Sequence, residues 1–280
     1  NRLAFIHHLT ETTPPESIYD SERSNKVYQV CQNKIRFLVL ETSKAGKANA
    51  LNIGNEIARQ QSHKIAINID ANNWVEPDSI ALIYKRAKQT IMDVPESNVV
   101  VVNSNEYCPT RNRQLQVSAR IKTQKAEVTG NMFAWSTQWI YENNGFPQQV
   151  TEDYGAGLLA LSQKKQIVGS DANIWGYSAS NFSDENRELI RFIYGAMQLA
   201  RRFENDPVAM QILLDDFPHL RPVRSRLKYH LSRKRKLKQP ANLIRGILAW
   251  LFHELLILRA RLKLYRYPSG QTWKPIYTTK

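Results

Sequence analysis

Three carboxylates of this chain can carry acid–base or metal-binding chemistry. Asp70 ends the apolar run 65–69, where an unpaired acid is costly unless something binds it. Glu152 and Asp153 are adjacent, so their charges repel, and one of the two can have a raised pKa that suits a general base. Ordinary alternatives stay open, because turn acids and the first turns of helices, here beginning at Thr151, also favour Asp and Glu.

Two cations are candidates for binding a charged substrate. Lys47 follows Gly46, which permits a tight turn, but the pair lacks the spacing of a Walker A loop. Arg191 lies in a predicted helix, from which a guanidinium can stabilise a departing diphosphate. Both side chains can equally be solvated surface cations, so neither decides the function by itself.

The elements that must position these side chains follow from hydrophobic periodicity. Strands are predicted over 35–40, 65–69 and 99–102, with helices over 48–59 and after Pro77. This alternation predicts an α/β fold with a mostly parallel sheet flanked by helices. Ligands of such sheets bind at the carboxyl ends of the strands, which is where Asp70 stands.

The remaining segments give weaker patterns. They predict a strand over 3–6, a helix over 19–32, a helix containing Trp135 and Trp139, a turn over 143–147, a short helix ending at Leu161, a strand over 167–177 and a helix over 184–203. We divide the chain into a nucleotide-binding half (1–102), a catalytic half (103–220) and a tail (221–280).

Positive charge is concentrated in the tail. The net charge is +14, and residues 221–280 hold sixteen Lys and Arg against one acid, Glu254, so the body is close to neutral. Large apolar residues recur at helical spacing from Leu243 to Leu262. The continuous apolar run within them, Gly246 to Leu258, is too short and too polar to cross a bilayer, which needs about twenty apolar residues. A basic amphipathic helix is suited to the interface of an anionic membrane; the alternative is a helix packed on the domain.

Other partners and compartments are constrained by the same composition. The near-neutral body and the scarcity of interleaved aromatics in the basic segment Arg221–Lys238 argue against a nucleic-acid binder. Cys31 and Cys108 lie far apart, without metal-ligand spacing, which favours a reducing compartment. We therefore expect a cytoplasmic protein, peripheral on the inner face of the plasma membrane.

Four short motifs occur in a particular order along the chain. They are Gly46-Lys47-Ala48-Asn49-Ala50-Leu51-Asn52, Asp70-Ala71-Asn72, Thr151-Glu152-Asp153 and Glu188-x-x-Arg191-Phe192-x-x-Gly195. In this order and spacing the chain resembles the family 2 glycosyltransferases, inverting enzymes of the GT-A fold, over residues 35 to about 205. The resemblance implies transfer of a sugar from a nucleotide-diphospho-sugar, with a UDP-sugar as the expected donor, to a lipid-linked or glycan acceptor.

The resemblance also implies which residues bind the donor. Asp70 matches the first acid of the family's Asp-x-Asp motif, and Asn72 stands at its second acid. Together they would hold Mg²⁺ or Mn²⁺, although an amide oxygen contributes no charge to the metal. Lys47 and Asn52 would lie by the nucleotide.

The catalytic roles are implied in the same way. Asp153 matches the general base, with Glu152 beside it, and Arg191 matches the arginine that meets the diphosphate. Trp135 and Trp139 can offer stacking faces to a sugar or belong to the core.

The sequence also departs from the family's pattern. Asn72 replaces an acid, Glu188 and Phe192 replace Gln and Trp, and the usual first strand with its nucleobase-binding residues is not found. The alternative hypothesis is therefore a degenerate, non-catalytic relative that binds a sugar or a partner at the membrane surface.

Overall fold

A computed structural model of the chain describes residues 10–11, 26–32, 35–41, 46–71, 73–94, 96–107, 128, 130–176, 182–232 and 240–266. In chain order its elements are β1 Thr10–Glu11, β2 Lys26–Gln32, β3 Ile35–Glu41, α1 Lys47–Gln60, β4 Ile65–Ile69, β5 Trp74–Val75, α2 Ser79–Ala87, β6 Val99–Tyr107, β7 Met132–Ser136, α3 Thr137–Glu142, α4 Glu152–Ser162, β8 Gln166–Trp175, α5 Phe182–Arg202, α6 Pro207–Asp216, α7 Val223–Ser232 and α8 Pro240–Arg266. The predicted α/β class is confirmed.

The main sheet has five strands in the order β4-β7-β6-β8-β5. Only β6 and β8 pair in parallel; the β4–β7, β7–β6 and β8–β5 pairs are antiparallel. The sheet is therefore mixed, and the prediction of a mostly parallel sheet was wrong. β4, β6 and β8 do run in one direction, but β7 lies between β4 and β6 in the opposite sense.

Strand β7 was missed because its sequence has no alternation. Met132, Phe133, Ala134 and Trp135 are all buried, and a continuous apolar run cannot be assigned to a strand or a helix by periodicity alone. The predicted helix begins only after Ser136, whose side chain accepts a hydrogen bond from the Trp139 backbone N–H. Trp135 is thus a strand residue.

β1, β2 and β3 form a separate antiparallel sheet. The helix predicted over 19–32 is wrong where the structure describes it, because residues 26–32 form β2, paired with β3 from Lys26 opposite Glu41 to Gln32 opposite Ile35. Valine and tyrosine favour strands, and the two residues between β2 and β3 suit a hairpin. The predicted strand over 3–6 lies outside the described residues.

The main sheet is covered on both faces. Phe133 and Trp135 of β7 point into a cluster with residues of α1, α3 and α4, whereas Met132 and Ala134 point to the other face, against Ile83 of α2. This alternation is the period of two that a strand imposes. The two clusters hold the ends of β4, β6 and β7 in place.

The C-terminal helices pack onto α5. One side of α5 contacts α4 and α6, and another contacts α8. The predicted helix of the tail is confirmed as α8, and the division of the chain at 102 and 220 stays a prediction. Within the described ranges, no helix is both long and apolar enough to cross a membrane.

Candidate active site

Lys47 is at the centre of a cluster built from three separate segments. Gly46, with a φ of 126° that favours glycine, turns the chain into α1 and makes Lys47 its first residue. The Lys47 Nζ lies 3.0 Å from both carboxylate oxygens of Asp70 and 3.5 Å from Glu152 Oε1. It also donates to the carbonyl of Gly130 at 2.6 Å.

Asp70 is fixed at the end of β4 by its surroundings. Its backbone N–H donates to the Asn131 carbonyl at 2.9 Å. The Asn68 side chain, two residues earlier on the same face of the strand, donates to Asp70 Oδ1 at 3.3 Å and to the Gly130 carbonyl at 3.2 Å. These bonds aim the Asp70 carboxylate at Lys47.

The two adjacent acids at the start of α4 have different environments. Glu152 is buried, at 3% exposed, and faces Lys47, whereas Asp153 is only half-buried. Asp153 lies against Gly130 so closely that a Cβ at that glycine would collide with its Oδ2. The accessible carboxylate of the pair is therefore that of Asp153.

Charges within the cluster shift two pKa values. Burial, and then the neighbouring Asp153 charge, raise the pKa of Glu152 to about 7, although Lys47 and Arg191 oppose this rise. Burial alone would lower the pKa of Lys47, but the charges of Asp153, Glu152 and Asp70 together raise it. The cluster therefore keeps Lys47 charged and lets Glu152 hold a proton close to neutral pH.

Arg191 reaches the same cluster from α5, since its charge acts on both Glu152 and Glu188. Its Nε is buried and has no hydrogen-bond partner among the described residues. Burial raises the pKa of Glu188, Arg191 opposes that rise, and Glu185 and Glu106 add to it. The charge of Arg191 thus acts on one acid of α4, Glu152, and on one acid of α5, Glu188.

Other predicted residues have different surroundings. Both polar atoms of the Asn52 amide bond to the backbone of Phe146, donating at 3.2 Å and accepting at 2.6 Å, so this side chain ties α1 to the turn before α4. Its role beside the nucleotide stays a prediction. Asn72, one of the two predicted metal ligands, lies outside the described residues.

The tryptophans considered as sugar-stacking faces belong to the core. Trp135 and Trp139 are buried, and their indole N–H groups donate to Asn55 at 2.8 Å and to Gln163 at 2.9 Å. Neither ring is available to a ligand, so the stacking alternative is wrong and the core alternative is confirmed.

Several residues that build the site were not singled out from the sequence. Asn68 had a readable signal, a polar side chain on the face of β4 that also carries Asp70. Gly130 had none, because its importance is the absence of a Cβ. Gly195 belongs to the fourth motif, but the sequence did not show that a Cβ there would lie 2.7 Å from the Thr151 side chain. Thr151 precedes α4, but its hydroxyl makes no helix-capping hydrogen bond. Its side chain packs against Gly195 instead.

Asp70 is the one predicted metal ligand that the described residues include. No group of three or more His, Cys, Asp or Glu side chains in the described part of the chain is placed to bind a metal ion. Mg²⁺ is commonly held by one or two carboxylates together with substrate phosphates, and the Asp70 side chain is 25% exposed. Because Lys47 contacts both Asp70 oxygens, a cation bound there would share this carboxylate with the lysine or displace it.

Comparison with known proteins identifies the fold. No family model and no curated protein matches this sequence. Among solved structures, the chain is similar to the mannosyltransferase PcManGT from Pyrobaculum calidifontis, determined in complex with GDP-Man and Mn²⁺. The match has a TM-score of 0.52 at 17% identity and covers 80% of this chain and 67% of that one. At this identity the likeness concerns architecture, and the chain has a glycosyltransferase fold.

Proposed function

We propose that this protein is an inverting glycosyltransferase that moves a sugar from a nucleotide-diphospho-sugar to an acceptor hydroxyl. The observation that carries the proposal is the convergence of Lys47, Asp70 and Glu152, which come from three motifs far apart in the chain. The glycosyltransferase fold adds support, as does PcManGT, whose structure contains GDP-Man. We retain a UDP-sugar as the first donor to test.

In this proposal the base is Asp153. It is the accessible member of the acidic pair, and Lys47 lies close enough for the charges of the two groups to interact. The acceptor hydroxyl gives its proton to the Asp153 carboxylate while its oxygen attacks the anomeric carbon. The bond from that carbon to the diphosphate oxygen breaks on the opposite side, so the anomeric configuration inverts.

The negative charge that forms on the departing diphosphate needs cations. Lys47 and Arg191 are the cations of the cluster, and the unpaired N–H at the Arg191 Nε is a donor available for such an oxygen. Asp70 and Asn72 would hold Mg²⁺ or Mn²⁺ brought with the donor, and a bound cation of this kind neutralises the diphosphate as it leaves. Glu152 keeps its proton near neutrality, which limits the negative charge facing the donor.

We further propose a lipid-linked or glycan acceptor at the cytoplasmic membrane face. The support is architectural, since α5 carries Arg191 and also packs against the C-terminal helix α8. An acceptor at the surface of α8 would lie next to the same helix that contributes to the site.

The test is release of nucleoside diphosphate from a panel of UDP- and GDP-sugars with Mg²⁺ or Mn²⁺. Asp153→Asn should lower turnover by about 100-fold or more, the usual contribution of a general base. Asp171→Asn, the same chemical change at an exposed position of β8, should leave turnover unchanged. If no donor is turned over and calorimetry detects no binding of UDP or GDP, the non-catalytic alternative replaces this proposal.

A further inference from the structure

Helix α8 exposes large apolar side chains along its whole length. At roughly 3.6 residues per turn they fall on one side of the helix, which we call the outer face. Its members are between 39% and 88% exposed: Ile244, Ile247, Leu248, Leu251, Phe252, Leu255, Leu258, Leu262 and Tyr265. A patch of this size on a folded protein usually marks an interaction site.

The opposite side of α8 is already buried. Leu256, Ile257, Ala260 and Leu264 pack against Ile190, Ile193, Tyr194 and Met197 of α5. Arg226 of α7 also binds Glu254 of α8, with contacts of 2.6 and 2.5 Å. The helix therefore cannot rotate to bury its outer face without losing this packing.

Positive charge lies within the C-terminal half of the outer face and on the neighbouring helix α7. Arg259, Arg261 and Arg266 are exposed on the C-terminal half of α8, and Arg224 and Lys228 are exposed on α7. The single acid of residues 221–280 is Glu254, which is the partner of Arg226. The surface thus combines an apolar stripe with cations that far outnumber the single acid of residues 221–280.

This combination selects one kind of partner. A second copy of the chain would bring the same positive charge against the stripe, and a nucleic acid would leave the leucines in water. A bilayer containing anionic lipids meets both features, because apolar side chains enter the boundary of the acyl region and arginines meet lipid phosphates. We propose that the outer face of α8 binds anionic membrane surfaces, with the helix lying in the plane of the interface.

The surface extends to the start of α5. Phe182, 60% exposed, stacks on Phe252 of the outer face with ring centroids 5.9 Å apart. Nine residues further along α5 is Arg191. A membrane that contacts Phe182 and Phe252 would therefore also lie near the helix that carries this arginine.

The experiment is flotation of the full chain with vesicles of phosphatidylglycerol or of phosphatidylcholine. We expect binding to the anionic vesicles, weakened by salt, and at least about tenfold weaker binding to phosphatidylcholine. Leu251→Glu/Leu258→Glu should lower binding to phosphatidylglycerol about tenfold or more, because both charges would enter the apolar boundary. Val94→Glu/Val208→Glu, the same change in charge at two apolar positions with comparable exposure outside α8, should bind as the wild type does.

A second variant keeps the test decisive if the first one misfolds, as judged by circular dichroism. Arg261→Gln/Arg266→Gln should weaken phosphatidylglycerol binding and reduce its salt dependence. Three results would each overturn the proposal: no vesicle binding by the wild type, binding that both variants leave unchanged, or a dimer in light scattering that Leu251→Glu/Leu258→Glu dissociates. Binding to duplex DNA in place of vesicles would assign the cations to nucleic acid instead.

Discussion

Replacing Glu152 with Gln should change how the stability of this protein depends on pH. In the folded state the pKa of Glu152 is about 7, first because of burial and then because of the Asp153 charge, against an ordinary value of 4.5. Between pH 4.5 and about 7, Glu152 keeps its proton in the folded protein and loses it in the unfolded chain. The free energy of unfolding of the wild type must therefore fall as the pH rises through this window.

The size of the effect follows from the same values. A pKa that rises from 4.5 in the unfolded chain to about 7 in the folded protein lowers the free energy of unfolding by about 3 kcal/mol. The full loss is reached once the pH is above the pKa of Glu152 in the folded state. Glu152 is almost fully buried, so solvent screening reduces this figure little. Glutamine has nearly the same shape and carries no charge at any pH, so the variant should lack this part of the pH dependence.

The measurement is urea unfolding of both proteins at a series of pH values from below 5 to above 7. The stability of Glu152→Gln relative to the wild type should increase with pH, by about 3 kcal/mol across the window. Glu204→Gln, the same replacement at an exposed position, should show no such trend. A difference between Glu152→Gln and the wild type that stays constant with pH would refute the argument that Glu152 holds a proton.

Two further substitutions test the geometry of the site and the attachment of the tail. Gly130→Ala should push the Asp153 carboxylate away and lower sugar transfer at least about tenfold. The Tm should change little, because the flexible Asp153 side chain can yield. Gly54→Ala, where a Cβ meets nothing within 4 Å, should keep full activity, and equal activity of both variants would contradict this geometry. Arg226→Met should remove the ion pair between α7 and α8 and lower the free energy of unfolding, measured in urea, by about 3 kcal/mol. Arg224→Met, at an exposed position, should lower it by almost nothing. Similar values for the two variants would show that this ion pair does not hold the tail.

The elements that sequence patterns predicted correctly are those with clear periodicity. Strand β4 alternates apolar residues up to Asp70, and α5 repeats its apolar residues at helical spacing, so both were found nearly at their observed bounds. Four strands were missed: β1 and β5 are only two residues long, and β2 and β7 lack that signal. β2 mixes four apolar and three polar residues without alternation, and the first four residues of β7 are all apolar, so only the pairing partners of β2 and β7 identify them as strands.

Sequence motifs singled out residues that lie together, but they did not give the contacts of those residues. Lys47, Asp70 and Glu152 were singled out for their types and for their motifs, and they do lie together. Asn52 belongs to the same motif as Lys47, yet its amide bonds to the backbone of Phe146. A motif identifies residues on one stretch of chain, and which of them face a shared cluster depends on how the helix is rotated against the sheet.

The division of roles between Glu152 and Asp153 is a property of the fold that adjacency could not reveal. Two neighbours at the start of a helix point in directions roughly 100° apart, so one can be buried while the other stays accessible. Lys47 lies on the buried side and contacts Glu152, and Gly130, which has no side chain, leaves room for Asp153. The same lysine binds Asp70, so one cation links the end of β4 to the start of α4. The arrangement therefore needs a lysine at the start of α1 and a glycine before β7 as much as it needs the acids.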